Sequence, residues 1–223
     1  MSSKKKEKKP KSKLRNWTET LIWSLAVALI LRQFVVQAYR IPSGSMEDTL
    51  LIGDFLLAEK ITYRFRDPRP GEIVIFKYPL NPSKDFVKRC IAVEGQTVYI
   101  KDKIVFVDGK PFNESPGVKF TDPNVLPSTL SQRDNFGPLK LQKGEFFVMG
   151  DNRDNSFDCR FWGPLKREFI IGKPMFIYFS WSPTPSGPSW EPPYLISLIR
   201  IFFWDLFHIP SKVRFTRITK LIR

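Results

Sequence analysis

The pattern of apolar and polar positions divides the chain into three parts. Near the N-terminus an apolar stretch, Leu21 to Leu31, continues through Phe34, Val35, Val36 and Ala38. Taken as one helix from Trp17 to Ala38, it is about 33 Å long at the usual helical rise. That is enough to cross a bilayer core of about 30 Å. Arg32 and Gln33 interrupt the run near its far end, where an arginine can snorkel to the interface. The stretch is expected to be a transmembrane anchor over 17–38. A cleavable signal peptide ending at Val36-Gln37-Ala38 and a buried core helix are the competing readings.

From Gly53 to Ser180 the pattern changes to short runs that alternate or are rich in β-branched and aromatic residues. These are Asp54–Glu59, Glu72–Phe76, Phe86–Val93, Thr97–Ile100, Ile104–Val107, Glu145–Met149 and Phe169–Phe179. They predict strands. Lys101-Asp102-Lys103 closes a hairpin between two of them, and Asp108-Gly109 marks a second turn. Residues 111–142, rich in Pro, Asn and Ser, read as a long excursion, either a binding element or a mobile insertion.

The third part, Tyr194–Ile209, lies between Pro193 and Pro210. Ser197, Arg200, Asp205 and His208 recur at roughly helical spacing, with Leu195, Ile199, Phe202, Phe203 and Leu206 opposite. That amphipathic pattern predicts an interfacial helix followed by a basic tail on a lipid surface. A short second span and packing onto the body are the alternatives. The expected fold is therefore mostly β, an antiparallel body with an N-terminal transmembrane helix and a C-terminal amphipathic helix. Its divisions are a basic cytoplasmic tail (1–16), the anchor (17–38), a catalytic β domain (39–181), a linker (182–193) and a membrane-associating segment (194–223).

Charge refines this picture. The 223 residues carry 36 Lys+Arg and 22 Asp+Glu, a formal net charge of +14. Such a balance first suggests a nucleic-acid partner. Residues 1–15 hold +7 and residues 212–223 hold +5, which leaves only +2 on the body. A DNA-reading domain would carry its basic face on the folded body, so no nucleic acid is expected. The basic N-terminal tail should stay in the cytoplasm and place the body on the outer face of the membrane.

A single histidine, His208, sits in the C-terminal part. A Ser-His-Asp or Cys-His triad is therefore not expected, nor is a His-rich metal site. Two cysteines, Cys90 and Cys159, are too few for a four-cysteine zinc site or a disulfide scaffold. One disulfide, or two buried free thiols, stays open. No metal and no cofactor are expected.

Without a catalytic histidine, a hydrolase can use a neutral lysine whose pKa is depressed by burial. The candidate nucleophile lies in Ile41-Pro42-Ser43-Gly44-Ser45-Met46, where Pro42 stiffens the backbone and Gly44 permits an unusual turn. The candidate base, Lys88, lies in the apolar strand Phe86–Val93. A third segment, 150–160, packs polar groups at a density that an ordinary turn does not need. Each has a plain alternative when taken alone: a serine-rich loop, an edge-strand lysine with its head in water, an Asx-rich turn.

Together these segments resemble the type I signal peptidase family of membrane-bound Ser-Lys proteases. Five blocks stand in family order. They are the membrane segment, Ile41-Pro42-Ser43-Gly44-Ser45-Met46 with Thr49–Asp54, Arg69–Pro79, Val87-Lys88-Arg89, and Gly150–Arg160. The resemblance implies Ser45 as nucleophile and Lys88 as general base. It implies an oxyanion hole from the Ser45 N–H and the Ser43 hydroxyl, with Ser156 orienting the Lys88 amine and Asp158 and Arg160 forming a supporting ion pair. It also implies pocket walls from Tyr39, Ile41, Met46, Leu50, Leu56, Phe86 and Val87, for small residues at −1 and −3 of a secretory preprotein.

The chain departs from the family pattern at Asp48, where proline is frequent, and at Glu94 and Gln96, where proline and aspartate are common. The expected activity is removal of signal peptides from exported preproteins at the bacterial cytoplasmic membrane. The alternatives are a specialised Ser-Lys processing peptidase, for pilin-like or organelle precursors, and a non-catalytic membrane-anchored binding module.

Overall fold

The computed structural model describes residues 13–182, 192–193, 195–197, 199–201, 204 and 211–222. The basic tail before Lys13, most of the 182–193 linker, and Phe202, Phe203, Asp205, Leu206 and His208 lie outside the described residues.

The first helix, α1, runs Lys13–Phe34. It stops four residues short of the expected end, because Val36–Arg40 forms strand β1 and pairs antiparallel with β2 (Asp54–Glu59). Val35 is the hinge: its N–H still bonds Leu31 O at 2.8 Å, while its carbonyl accepts from Lys60 N at 2.8 Å. Two consecutive β-branched valines favour this exit from the helix. Val36-Gln37-Ala38, read as a possible cleavage site, is therefore sheet. Apolar side chains stand exposed all round α1, with Trp17, Leu21, Trp23, Leu25 and Ile30 each more than half exposed. Among the described residues, no helix is long and apolar enough to cross a membrane.

The body is built on two antiparallel sheets. β3 is Ile73–Tyr78, β4 Asn81–Ala92, β5 Thr97–Lys101, β6 Ile104–Val107, β7 Lys110–Pro111, β8 Phe136–Lys140, β9 Glu145–Met149, β10 Leu165–Lys166 and β11 Ile170–Ser180. The larger sheet has the order β1-β2-β11-β3-β4-β9-β10, the smaller β7-β6-β5-β8. Two short helices, α2 (Thr62–Phe65) and α3 (Cys159–Trp162), and a few 3₁₀ turns lie within the body, and the described residues 195–197, 199–201, 204 and 211–212 are helical too. Among the described residues helix makes up 26% and strand 36%, so the fold is a strand-rich mixture of α and β rather than mostly β.

The larger sheet is apolar on both faces, which gives β3 its unbroken run Ile73–Phe76. Val74 and Phe76 join one core with Cys90, Ile91, Phe147 and Val148. Ile73 and Ile75 join a second with Ile41, Met46, Leu50, Leu56, Ile177 and Ile222. The two expected turns are present, with left-handed residues Asp102 and Lys103 in one and Asp108 and Gly109 in the other. Cys90 and Cys159 are buried free thiols.

The structure adds detail to three further expectations. The 111–142 excursion contributes strand β8 and is fixed to the body by ion pairs, Arg133–Asp154 at 3.6 Å and Arg153–Glu114 among them. Backbone bonds from Lys119 to Asp151 and from Arg153 to Lys119 add to this packing. The end of the 194–223 segment packs onto the body, where residues 211–222 lie along β11. Trp181 bridges to Val213 and Phe176 to Leu221, and Ile222 enters the second core. Finally, Leu50 and Leu56 are completely buried in that core rather than lining a pocket. Leu50→Ala is expected to cost about 3 kcal/mol of folding free energy, as for other fully buried leucines. Denaturant unfolding measures the loss, and the substrate preference of the folded fraction should not change.

Candidate active site

Ser43, Ser45, Lys88 and Ser156 converge on one cleft of about 610 Å³, where Tyr39, Ile41, Met46, Phe86 and Val87 supply apolar wall. Pro42 and an extended Ser43 (φ −128°, ψ 154°) deliver the chain into a 3₁₀ turn, Gly44–Met46, that carries Ser45. Gly44 does not use the left-handed freedom expected of it; the glycine that matters is Gly150. A Cβ there would collide with the Ser45 carbonyl and the Ser156 hydroxyl. Asp48, by contrast, has φ 74°, a value that proline's ring forbids. The loop after the turn therefore cannot follow the proline geometry frequent at this position in the family.

The 150–160 segment grips the turn from below. Asn152 N–H donates to Ser45 O at 3.1 Å, and Asn152 Nδ2 donates to Gly44 O at 3.2 Å. The family resemblance implies no role for Asn152, although it stands inside the Gly150–Arg160 block. Hydrogen-bond capacity next to a close-approach glycine was the available signal.

Lys88 enters from β4 and is only 3% exposed. Burial pushes its pKa down to about 8, with nearby Asp158 opposing the shift. Its Nζ donates to Ser156 Oγ at 3.0 Å, and Ser156 Oγ donates to Asp158 Oδ2 at 2.7 Å. Asp158 also accepts from Gly150 N–H at 3.1 Å and from Arg160 Nε at 2.8 Å and Nη2 at 2.9 Å. Burial alone would raise the Asp158 carboxyl; Arg160 and these bonds outweigh it and hold the pKa below the usual carboxylate value. Ser156 thus has its proton committed to Asp158 and a lone pair facing Lys88, which fixes the direction of the amine.

The Ser43 and Ser45 hydroxyls lie 3.5 Å apart, and no direct hydrogen bond joins Ser45 Oγ to Lys88. Catalytic bonds are often long before substrate binds. A second buried pair stands beside the first. Arg89 donates to both oxygens of Asp151, at 2.8 and 2.7 Å, and Thr49 Oγ1 donates to Asp151 Oδ2 at 2.5 Å. Phe157 and Phe161, stacked with centroids 5.5 Å apart, also line the cleft and had not been expected there.

The family model for signal peptidase, peptidase S26, matches residues 14–181, which is most of the chain. This chain belongs to the type I signal peptidase family. Signal peptidase I of Aquifex aeolicus is 32% identical, over 90% of this chain and 97% of its own. A probable signal peptidase I-2 of Synechocystis is 37% identical, over 77% and 76%. The chloroplastic thylakoidal processing peptidase 1 of Arabidopsis thaliana is 36% identical, over 72% of this chain and 46% of its own. At the level of the family, the chain is a signal-peptidase-like serine protease, associated with a membrane and with secretory preproteins.

In this signal peptidase chain the steric demand at Gly150 gives a direct test. Gly150→Ala is expected to lower kcat by about 10²-fold or more, since a displacement of about 1 Å in the reacting groups has that effect. Single-turnover cleavage by the folded fraction, checked by circular dichroism, measures it.

Proposed function

We propose that this chain removes N-terminal signal peptides from exported preproteins by a Ser45–Lys88 dyad. The observation that carries the reading is a buried Lys88, pushed down to about 8 and aimed by Ser156, in the same cleft as Ser45. Ser45 Oγ attacks the scissile carbonyl carbon and its proton passes to Lys88 Nζ. The tetrahedral oxyanion is held by the Ser45 N–H and the Ser43 hydroxyl, a kind of contact worth about 3 kcal/mol per donor. Collapse expels the new N-terminus, which takes the proton from Lys88 and leaves an acyl-enzyme. Lys88 then deprotonates the water that hydrolyses it.

The apolar wall of Tyr39, Ile41, Met46, Phe86 and Val87 favours small side chains at −1 and −3 of the substrate. The apolar, exposed α1 seats in the bilayer, with the basic 1–16 tail on the cytoplasmic side and the body on the outer face of the bacterial cytoplasmic membrane. The likeness to a thylakoidal peptidase keeps one second reading in play, that of a processing enzyme for organelle precursors.

Ser45→Ala and Lys88→Ala should each lower kcat on a preprotein by about 10⁴ or more, as when a serine protease loses its nucleophile or base. Cleavage retained by either variant sinks the dyad. A lysine base acts only when neutral, so kcat/KM should climb with pH and level off above about 8. A flat profile from pH 6 to 10 would argue for a different base.

A further inference from the structure

The C-terminal residues 211–222 lie beyond the 14–181 family match, yet two of their arginines reach the loop that follows the proposed nucleophile. Their common anchor is Asp54, which is completely buried at the start of β2. Its carboxylate accepts from Arg217 Nη2 at 2.5 Å, from Arg217 Nε at 3.1 Å, from the Ser180 hydroxyl at 2.6 Å and from Leu51 N–H at 2.8 Å. Arg214 Nη2 stands 3.5 Å away.

The guanidinium groups also take up backbone carbonyls. Arg217 Nη2 donates to Thr49 O at 3.0 Å, and Arg214 Nη2 donates to Ile52 O at 2.7 Å. Thr49 is a junction. Its N–H bonds Met46 O at 3.1 Å, at the end of the turn carrying Ser45. Its hydroxyl bonds Asp151, whose other contacts hold Arg89, the residue beside Lys88. One side chain from the 211–222 segment therefore reaches both halves of the proposed dyad through a single residue.

We propose that Arg217, anchored by Asp54, is a positioning residue. It holds Thr49, and through Thr49 sets the Ser45 turn against the Lys88 strand. The proposal rests on the Ser45–Lys88 reading. A merely structural clasp would only fasten the C-terminus. That fastening has other means: Thr219 N–H to Ile177 O at 2.7 Å, Ile222 N–H to Met175 O at 2.9 Å, Arg214 N–H to Ser180 O at 3.0 Å, and buried Val213 and Ile222. An altered Arg217 should therefore leave the segment docked.

The test uses the full chain in detergent, a secretory preprotein, and the variants Arg217→Ala, Arg217→Lys and Ser45→Ala. Arg217→Ala should lower kcat by about tenfold or more, leave KM within about twofold, and leave the pH midpoint of activity in place, the signature of an interaction realised only in the transition state. Arg217→Lys keeps the charge beside Asp54 but lacks the planar fork that also reaches Thr49 O, so its kcat should fall between the two. Wild-type kcat in both variants overturns the proposal, whatever their melting temperatures, and so does an effect confined to KM. If Arg217→Ala fails to fold, Arg217→Lys decides alone: an intermediate kcat supports the role and a wild-type kcat ends it. Cleavage by Ser45→Ala overturns the nucleophile assignment and this proposal together. An inactive Ser45→Ala beside a fully active Arg217→Ala overturns the positioning role only.

Discussion

A lysine buried in the middle of a sheet is the constraint around which the site is arranged. Water would hold the Lys88 amine charged; the cleft removes that water and lowers the pKa to about 8. The folded protein then binds its proton less readily than the unfolded chain, where the pKa is 10.5. Below about 8 both states are protonated and the group opposes folding in full. Between about 8 and 10.5 the unfolded chain alone keeps the proton, so stability rises with pH across that window. The site accepts a local loss of stability near neutrality in return for an amine able to take a proton.

The remainder of the local structure compensates for that burial. Lys88 and Arg89 are neighbours on β4, so their side chains point to opposite faces of the sheet. Each meets a carboxylate from the same 150–160 segment: Asp158, through Ser156, on one side and Asp151 on the other. The segment therefore straddles the strand. Asp158 and Asp151 are both completely buried and each is held by a guanidinium, Arg160 and Arg89. Removing one partner of such a pair strands the other in a medium that cannot solvate it. The density of polar residues in 150–160 follows from this. The segment must satisfy Lys88 and Arg89 as well as its own buried Asp151 and Asp158, and with Asn152 it also ties down the turn that presents Ser45.

Much of this was legible in the sequence because it is local or periodic. β2, β6 and β9 match their apolar runs end to end, and the left-handed turns at Asp102 and Asp108 fall where short polar breaks put them. The residues around the cleft came from block order rather than from periodicity. Leu50 and Leu56 show the limit of that route. A residue adjoining a pocket in sequence can turn its side chain into the core beneath, and β2 alternates so that Asp54, Leu56 and Ala58 all face inward. The end of α1 was misplaced for a different reason. Apolar patterning cannot separate the last turn of a helix from the first residues of a strand when Val35 and Val36 suit both, and pairing with β2 decides it.

The C-terminus shows why charge is the weakest of these signals when read without partners. Five basic residues in twelve, following an apolar segment, look like an electrostatic attachment to lipid. Arg214 and Arg217 instead spend their donors on Asp54, Ser180 and the carbonyls of Thr49, Ile52 and Trp181. Lys212 is buried, with its ammonium 3.7 Å from the centre of the Trp204 ring and 4.9 Å from that of Trp181. The distinction was open to one physical consideration. Asp54 begins a strand with its side chain on the apolar face, and a carboxylate there needs a cation to be buried at all. The body offers nearly balanced charge but already commits Arg89 and Arg160 to other carboxylates. The C-terminal basic segment supplies the cation for Asp54, with Arg217 Nη2 at 2.5 Å and Arg214 Nη2 at 3.5 Å.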